Sequence, residues 1–231
     1  MNDFYFFHIG DDIDLPKMMV NSIRITNKNS RIFQLTDTTT KQIPITDGCY
    51  RFKGNSSSIM KFRMEAYAQT TLNKSRYSIF LDTDMLVLKE IKLNKLFEKS
   101  DLILCEREFN KNELVNIDFD NMKMKEYEGK LMGEAWPYLG CFIGVNNSKS
   151  LITMNQMYEE LKKKYKRWYG DQIILKKFAS ENPSKTSFVA ETEYAYIPLN
   201  NRISKEAKII HFKGKRLKSY MKTCYKYFFE K

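Results

Sequence analysis

Residues 77–88, Tyr-Ser-Ile-Phe-Leu-Asp-Thr-Asp-Met-Leu-Val-Leu, constrain this chain more than any other stretch, because a nearly unbroken apolar run carries one pair of aspartates. Ile79, Phe80 and Leu81 are consecutive and bulky, the pattern of a central strand covered on both faces rather than of an alternating, half-buried one. Such a strand belongs to an α/β sheet. Residues two apart in an extended chain point the same way, so Asp82 and Asp84 present their carboxylates to one side. Two carboxylates at the lip of a core repel each other and are costly to desolvate unless a positive charge joins them. A divalent cation meets that requirement; the alternative is that both residues cap a turn after an ordinary strand. An Asp-x-Asp triplet alone decides little, since on the order of one is expected by chance in a chain of this composition. This chain has three, the others spanning Asp12 to Asp14 and Asp118 to Asp120. Only the one at Asp82 follows a strand-like run and precedes another, which is where open α/β sheets bind ligands.

With 231 residues the chain suits one large domain, or a domain with an appendage, and is long enough for a sizeable core. At 42% hydrophobic and 14% aromatic it is expected to be a folded globular protein. No stretch approaches the roughly 18 consecutive apolar residues that a membrane span needs. The start, Met-Asn-Asp-Phe-Tyr-Phe-Phe, lacks the basic leader and small-residue cleavage site of a secretory signal, so the expected location is the cytoplasm. Cys49, Cys105, Cys141 and Cys224 are far apart with no C-x-x-C pair, which indicates reduced, buried thiols rather than zinc or disulfides. The net charge of +11 implies attraction to a polyanion. Nucleic acid, an anionic membrane and a phosphorylated substrate all fit, and charge does not choose among them. Lysine thickens at 162–167, read as a solvated helix end favoured by the macrodipole, and again over 213–226.

In chain order, residues 3–9 read as a strand ending in His8, Ile9 and Gly10, residues 15–26 as a helix, and 31–35 as a second strand, a βαβ opening typical of nucleotide-binding α/β domains. Gly10 either lets the backbone approach a ligand or merely punctuates the turn. Residues 36–57 read as loop with at most one short strand. Ser57 or Ser58 is expected to cap the next helix, which delivers Lys61 and Arg63 ahead of the aspartates. Residues 93–97 suggest a short helix, 102–105 a buried strand, and 106–137 an irregular insertion suited to an acceptor pocket. Strand character returns at 138–145, a long helix is expected from 150 to about 168, and Gly170 breaks it from another beginning at Asp171. A last strand, Ile209 and Ile210, delivers His211.

The histidines are His8 and His211, both at predicted strand ends. An imidazole joining two carboxylates makes a nitrogen-and-oxygen donor set that suits Mn²⁺ better than Ca²⁺, with Mg²⁺ also compatible. Gly214 and the lysines after it can hold phosphate oxygens through backbone N–H and charge. Asp171 can cap a helix, which leaves Gln172 unexplained. No Ser/His/Asp or Cys/His set is compelling and there is no G-x-x-x-x-G-K-[ST] loop, so hydrolase and P-loop readings fall behind.

The order of these motifs, from the first βαβ unit through Phe80-Leu81-Asp82-Thr83-Asp84, Gly140-Cys141-Phe142, Gly170-Asp171-Gln172 and His211-Phe212-Lys213-Gly214, resembles the retaining glycosyltransferases of the glycogenin and lipopolysaccharide galactosyltransferase type, glycosyltransferase family 8-like. The resemblance implies a GT-A fold, a Rossmann-like mixed central sheet with helices on both faces, over residues 1–212, followed by a basic aromatic tail at 213–231. It implies transfer of a sugar, with retention, from a UDP-sugar donor to a glycan or lipid-linked acceptor in surface polysaccharide assembly. Asp82, Asp84 and His211 would ligate Mn²⁺, with Thr83 between them. Lys61, Gly214 and Lys215 would hold the phosphates, and His8, Ile9 and Gly10 would receive the nucleoside. Asp171 would orient the donor sugar and Gln172 would approach the anomeric centre. Two positions depart from the family pattern: Tyr138-Leu139-Gly140 stands where Asn-Ser-Gly is common, and Leu217 stands in the place of the family's lysine, with Lys215, Arg216 and Lys218 around it. The tail suits either an anionic membrane surface or a final helix packed by its aromatics. Rival readings are a nucleotidyltransferase and a basic module binding nucleic acid or membrane; nucleic acid is not the expected partner.

Overall fold

Strand β1 (Asn2–Phe7) buries Phe4, Tyr5 and Phe6 almost completely, as a strand flanked on both edges and both faces must. It leads through α1 (Asp14–Thr26) to β2 (Arg31–Thr36), which lies parallel to it, and β3 (Gly48–Arg51) extends the same side. The chain then returns through α2 (Ile59–Gln69) as β4 (Tyr77–Leu81), parallel to β1 on its other edge. Beyond it come β5 (Met85–Val87), α3 (Asn94–Phe97), β6 (Leu102–Glu106), the small hairpin β7 (Asp118–Phe119) and β8 (Met122–Lys123), α4 (Met132–Ala135), β9 (Tyr138–Val145), α5 (Ser148–Glu160), α6 (Gly170–Glu181), β10 (Thr186–Ala190), α7 (Glu191–Tyr194), β11 (Ile209–His211) and α8 (Lys215–Phe229). This computed structural model describes residues 1–116, 118–119, 122–167, 169–199 and 202–230, without the side chains of 118, 119, 122 and 123. Asp120 of the third aspartate triplet and Trp168 at the expected end of the long helix lie outside the described residues.

The fold is α/β, with a mostly parallel seven-stranded sheet in the order β10-β6-β9-β4-β1-β2-β3, in which β9 runs antiparallel to both neighbours. Its side chains alternate between two apolar layers, as the two-residue period of a strand requires. Phe4, Phe6, Ile79, Leu81, Ile103 and Phe142 face a layer that includes Met19, Val20 and Ile23 of α1 and Met221 and Cys224 of α8. Tyr5, Phe80, Leu104 and Ile143 face a layer built from α2, α5 and α6 through Met64, Tyr67, Met154, Ile174 and Leu175. Tyr5 stacks on both Phe33 and Phe80, at 5.2 and 4.9 Å between ring centres, a cross-strand aromatic row that helps fix the parallel register. The order of strands reverses between β1 and β4. That is a topological switch point, where the chain turns away to opposite sides and leaves a crevice beyond the carboxyl ends of the strands.

Beside the main sheet, β5 and β11 pair antiparallel, with Met85 opposite His211. The segment 106–137 carries its own apolar cluster, in which Val115, Met124, Met132 and Ala135 surround Trp136. Packing is continuous across residues 212 and 213, because α8 lies on α1 and β5 and places Met221 and Cys224 in the first layer. Of the two readings of the tail, a packed final helix matches residues 215–229. Among the described residues no helix is long and apolar enough to cross a membrane.

Several local expectations are corrected. The long helix ends at Glu160, and a 3-10 turn, Lys163–Tyr165, follows, so the lysine cluster lies beyond the helix rather than on its last turn. Asn147, not Ser150, opens that helix, its Oδ1 accepting from the N–H groups of Lys149 and Ser150. Ser58 occupies the N-cap position of α2 but makes no side-chain cap bond; Asn55 caps the preceding 3-10 turn. Gly170 is the first residue of α6 rather than a break before it. Gly10 has φ +107 with open space where a side chain would stand, and its N–H is given to Thr40 Oγ1 at 2.9 Å. That backbone conformation is one glycine adopts readily in a turn.

Candidate metal centre

Asp82 follows the last residue of β4, and its N–H still reaches Cys141 O of β9 at 3.1 Å, so the sheet holds it in place. Asp84 stands just before β5, and its carbonyl accepts from Phe212 N–H at 2.8 Å, which brings the end of β11 alongside. Antiparallel pairing of β5 with β11 therefore delivers His211 from far along the chain to the two aspartates. The ligand atoms of Asp82, Asp84 and His211 lie within 4.8 Å of one another. His211 Nε2 is 3.5 Å from Asp84 Oδ1, and Lys218 Nζ is 3.1 Å from Asp84 Oδ2.

The protonation tendencies describe a cluster of strong mutual fields. Burial alone would raise the Asp84 carboxyl, but the His211 imidazole and the Lys218 ammonium bring it down to about 2. Asp82 goes the other way, pushed up by its desolvated setting against the pull of Arg63, with Asp84 adding repulsion. Burial disfavours the His211 imidazolium, yet the neighbouring Cys141 sulfur and the Asp84 carboxylate outweigh it and hold the group well above the usual imidazole range. His211 Nδ1 is buried without a hydrogen-bond partner. Two carboxylates and an imidazole within one ion's reach fit Mn²⁺ or Mg²⁺ in donor chemistry and spacing.

Arg63 joins this cluster to a second one. It stands on the α2 face shared with Met60 and Tyr67 and forks between two acids, NH1 to Asp82 Oδ1 at 2.9 Å and NH2 to Asp171 Oδ2 at 2.5 Å. Asp171, almost fully buried in the first turn of α6, also accepts from Gln172 N–H at 2.8 Å. Gly140 makes room for this: a Cβ there would fall 2.0 Å from Asp171 Oδ2. Gln172 is fixed from behind by the buried Arg107, whose NH2 donates to its Oε1 at 2.6 Å while Nε donates to Trp136 O at 2.8 Å. Because the oxygen of Gln172 is taken, its amide has its N–H groups left to offer.

These groups line one cleft of about 820 Å³ at the switch point, within the range of small-molecule sites. Part of the lining is apolar and comes from Phe7, Ile9, Leu15, Met18, Ile59, Met60 and Leu139. The rest includes Arg63, Asp82, Thr83, Asp84, Gly140, Cys141, Asp171, Gln172 and His211. Lys213 and Gly214 just before α8, and Lys215, Lys218 and Lys222 over its first two turns, bring positive charge to the cleft, to which the dipole at the helix start adds; Asp12 and Asp14 line it as well. Gly214, at φ +82, allows the turn into that helix. His8 lines the cleft with its Nε2 buried and unpartnered, and burial lowers its basicity.

Of the residues expected from sequence, His8, Ile9, Asp82, Thr83, Asp84, Asp171, Gln172, His211, Gly214 and Lys215 all meet at this cleft. Gly10 and Lys61 are not among its lining residues. Lys61 pairs instead with Glu65 and Glu159, at 3.5 and 3.4 Å, so Arg63 is the α2 cation that reaches the site. A helical register would have pointed to it: Arg63 lies three after Met60 and four before Tyr67, whereas Lys61 has its acidic partner one turn on at Glu65. Arg107 was not singled out by sequence reasoning, and nothing in its spacing marks it; Lys222 falls within the lysine cluster at 213–226, four after Lys218 and seven after Lys215, so a helical register puts the three on one face. Neither a scan against protein-family models nor a search of curated proteins finds a match to this chain.

Proposed function

We propose that the protein is a metal-dependent retaining glycosyltransferase of GT-A type, moving a sugar from a nucleoside-diphosphate donor, UDP-sugar first, to a glycan or lipid-linked acceptor. The observation that carries the reading is the convergence of Asp82, Asp84 and His211, within 4.8 Å at their ligand atoms, beside a basic helix start at the switch point of the sheet. The strand order supports it at the level of the fold, as a mostly parallel sheet with a crevice where the topology reverses. The apolar part of the lining is suited to a nucleoside and the cleft lysines to its phosphates.

Asp82, Asp84 and His211 would hold Mn²⁺, or Mg²⁺ in its place. Bound there, the ion supplies Lewis-acid neutralisation of the charge that grows on the departing diphosphate. Lys215 and Lys218 supply further positive charge at the same side, and the N–H groups opening α8 add theirs. Asp171, clamped by Arg63 and by Gln172 N–H, is an acceptor held in one orientation for a sugar hydroxyl. Gln172, its oxygen engaged by Arg107, offers N–H donors toward the reacting region. Fixing both groups from behind removes the entropy of ordering them at the moment of reaction. One neighbour shapes what can enter: Leu139 puts an apolar side chain where the family pattern has a polar one near the donor sugar.

The test is release of UDP from a panel of nucleotide sugars with Mn²⁺ present. Turnover that disappears with chelator and with Asp84→Ala supports the reading. Failure of every nucleotide sugar to bind or turn over with metal overturns it, and turnover of nucleoside triphosphates instead identifies a nucleotidyltransferase.

A further inference from the structure

Lys218 belongs to α8, one turn beyond Gly214, with 44% of its side chain exposed, and its ammonium sits on Asp84 Oδ2 at 3.1 Å. The other cleft cations of that helix, Lys215 and Lys222, make no ion pair among the described residues. Asp84 has both oxygens engaged, Oδ1 by His211 and Oδ2 by Lys218. Asp82 is differently placed, because its partner Arg63 is only 12% exposed and anchored on its other side by Asp171. Arg63 has no room to leave. Lys218, on a flexible four-carbon stem at the cleft mouth, has.

A divalent ion ligated by Asp84 competes with the ammonium for the same carboxylate and repels it at short range. We propose that Lys218 is an exchangeable counter-ion, held by Asp84 until a divalent cation takes that carboxylate and then released to the anionic group that binds beside the cation. One side chain thereby couples metal binding to diphosphate binding, so that the lysine is fully available to phosphate oxygens only when metal is in place. Reciprocity follows: whatever Lys218 adds to diphosphate affinity in the metal-loaded protein, diphosphate returns as metal affinity. This inference rests on the metal-and-diphosphate reading of the cleft and assigns Lys218 a positioning role.

Calorimetric titration of the metal-stripped full-length protein with Mn²⁺, and with UDP at zero and saturating Mn²⁺, tests it. Removing the competing ammonium in Lys218→Met is expected to tighten Mn²⁺ binding about three- to tenfold. The same change leaves metal-free UDP affinity within about twofold and weakens metal-loaded UDP affinity about tenfold. Lys218→Gln, at the same exposed helical position, gives the same signs. Arg216→Met removes an equal charge from the same helix turn without a contact to Asp84 and moves each constant by less than about twofold. Mn²⁺ affinity unchanged or weakened in Lys218→Met, UDP affinity reduced equally with and without metal, or an equal gain in Arg216→Met overturns the exchange and leaves the metal-and-diphosphate reading standing. A native protein that binds no Mn²⁺ overturns both.

Discussion

Arg63 is the residue on which the two halves of the site depend, since one guanidinium neutralises Asp82 and Asp171 together. Removing one partner from a buried pair leaves uncompensated charge, so Arg63→Met should lose about 3–5 kcal/mol of stability in urea unfolding at pH 7. Lys61→Met, whose exposed pairs are worth little, should stay within about 0.5 kcal/mol of the native protein. Equal losses in the two variants would remove the distinction drawn between them. Gly140→Ala makes a sharper local test: with a Cβ falling 2.0 Å from Asp171 Oδ2, the carboxylate or the strand must move, at a cost of about 1–3 kcal/mol and with loss of turnover. An unperturbed Gly140→Ala protein would mean that the Asp171 position is not used. Asp82, Asp84, Asp171, Gln172 and His211 were legible in the sequence because their types and order carry chemistry. Arg63 and Lys61 look alike as two cations on one helix, and what separates them is register, since Arg63 shares the face of the buried Met60 and Tyr67.

At the scale of elements, the pairing of β5 with β11 and the packing of α8 place His211 and the cleft lysines. Met221 is fully buried under α8, so Met221→Ala should cost about 2–5 kcal/mol and should also reduce UDP affinity by loosening the helix that carries Lys215 and Lys218. A variant destabilised by that amount with unchanged UDP affinity would show that α8 is a structural cover only. The strands β1, β4, β6 and β9 were readable from continuous apolar runs, which a sheet covered on both faces demands. Strand β10 was missed because it lies at the sheet edge, where its apolar residues, Phe188, Val189 and Ala190, follow Thr186 and Ser187 and only Val189 of the three is buried. The helix α5 was read too long because Leu161 and Tyr165 continue its spacing into the lysine cluster, although the backbone at Leu161 is already extended.

On the whole-molecule scale, a sheet that reverses its order between β1 and β4 fixes where a ligand can enter, and the four lysines that line the cleft stand on α8 and the turn before it. The two-layer alternation of Phe4, Tyr5 and Phe6 was implicit in the sequence. The closeness of β11 to β5 was not, because it depends on a long-range pairing that no local pattern encodes. If the cleft holds a divalent ion, Mn²⁺ at about one hundred times its dissociation constant should stabilise the fold by about 2.7 kcal/mol, visible as a rise in Tm that Asp84→Asn removes; a Tm indifferent to Mn²⁺ would count against it. The most direct measurement is a crystal grown with Mn²⁺ and UDP, with data collected at the manganese absorption edge. The account predicts one anomalous peak bonded by Asp82, Asp84 and His211, with diphosphate oxygens completing its shell and the nucleoside against Phe7 and Ile9. An ordered UDP elsewhere, or manganese that avoids those three side chains, would contradict it.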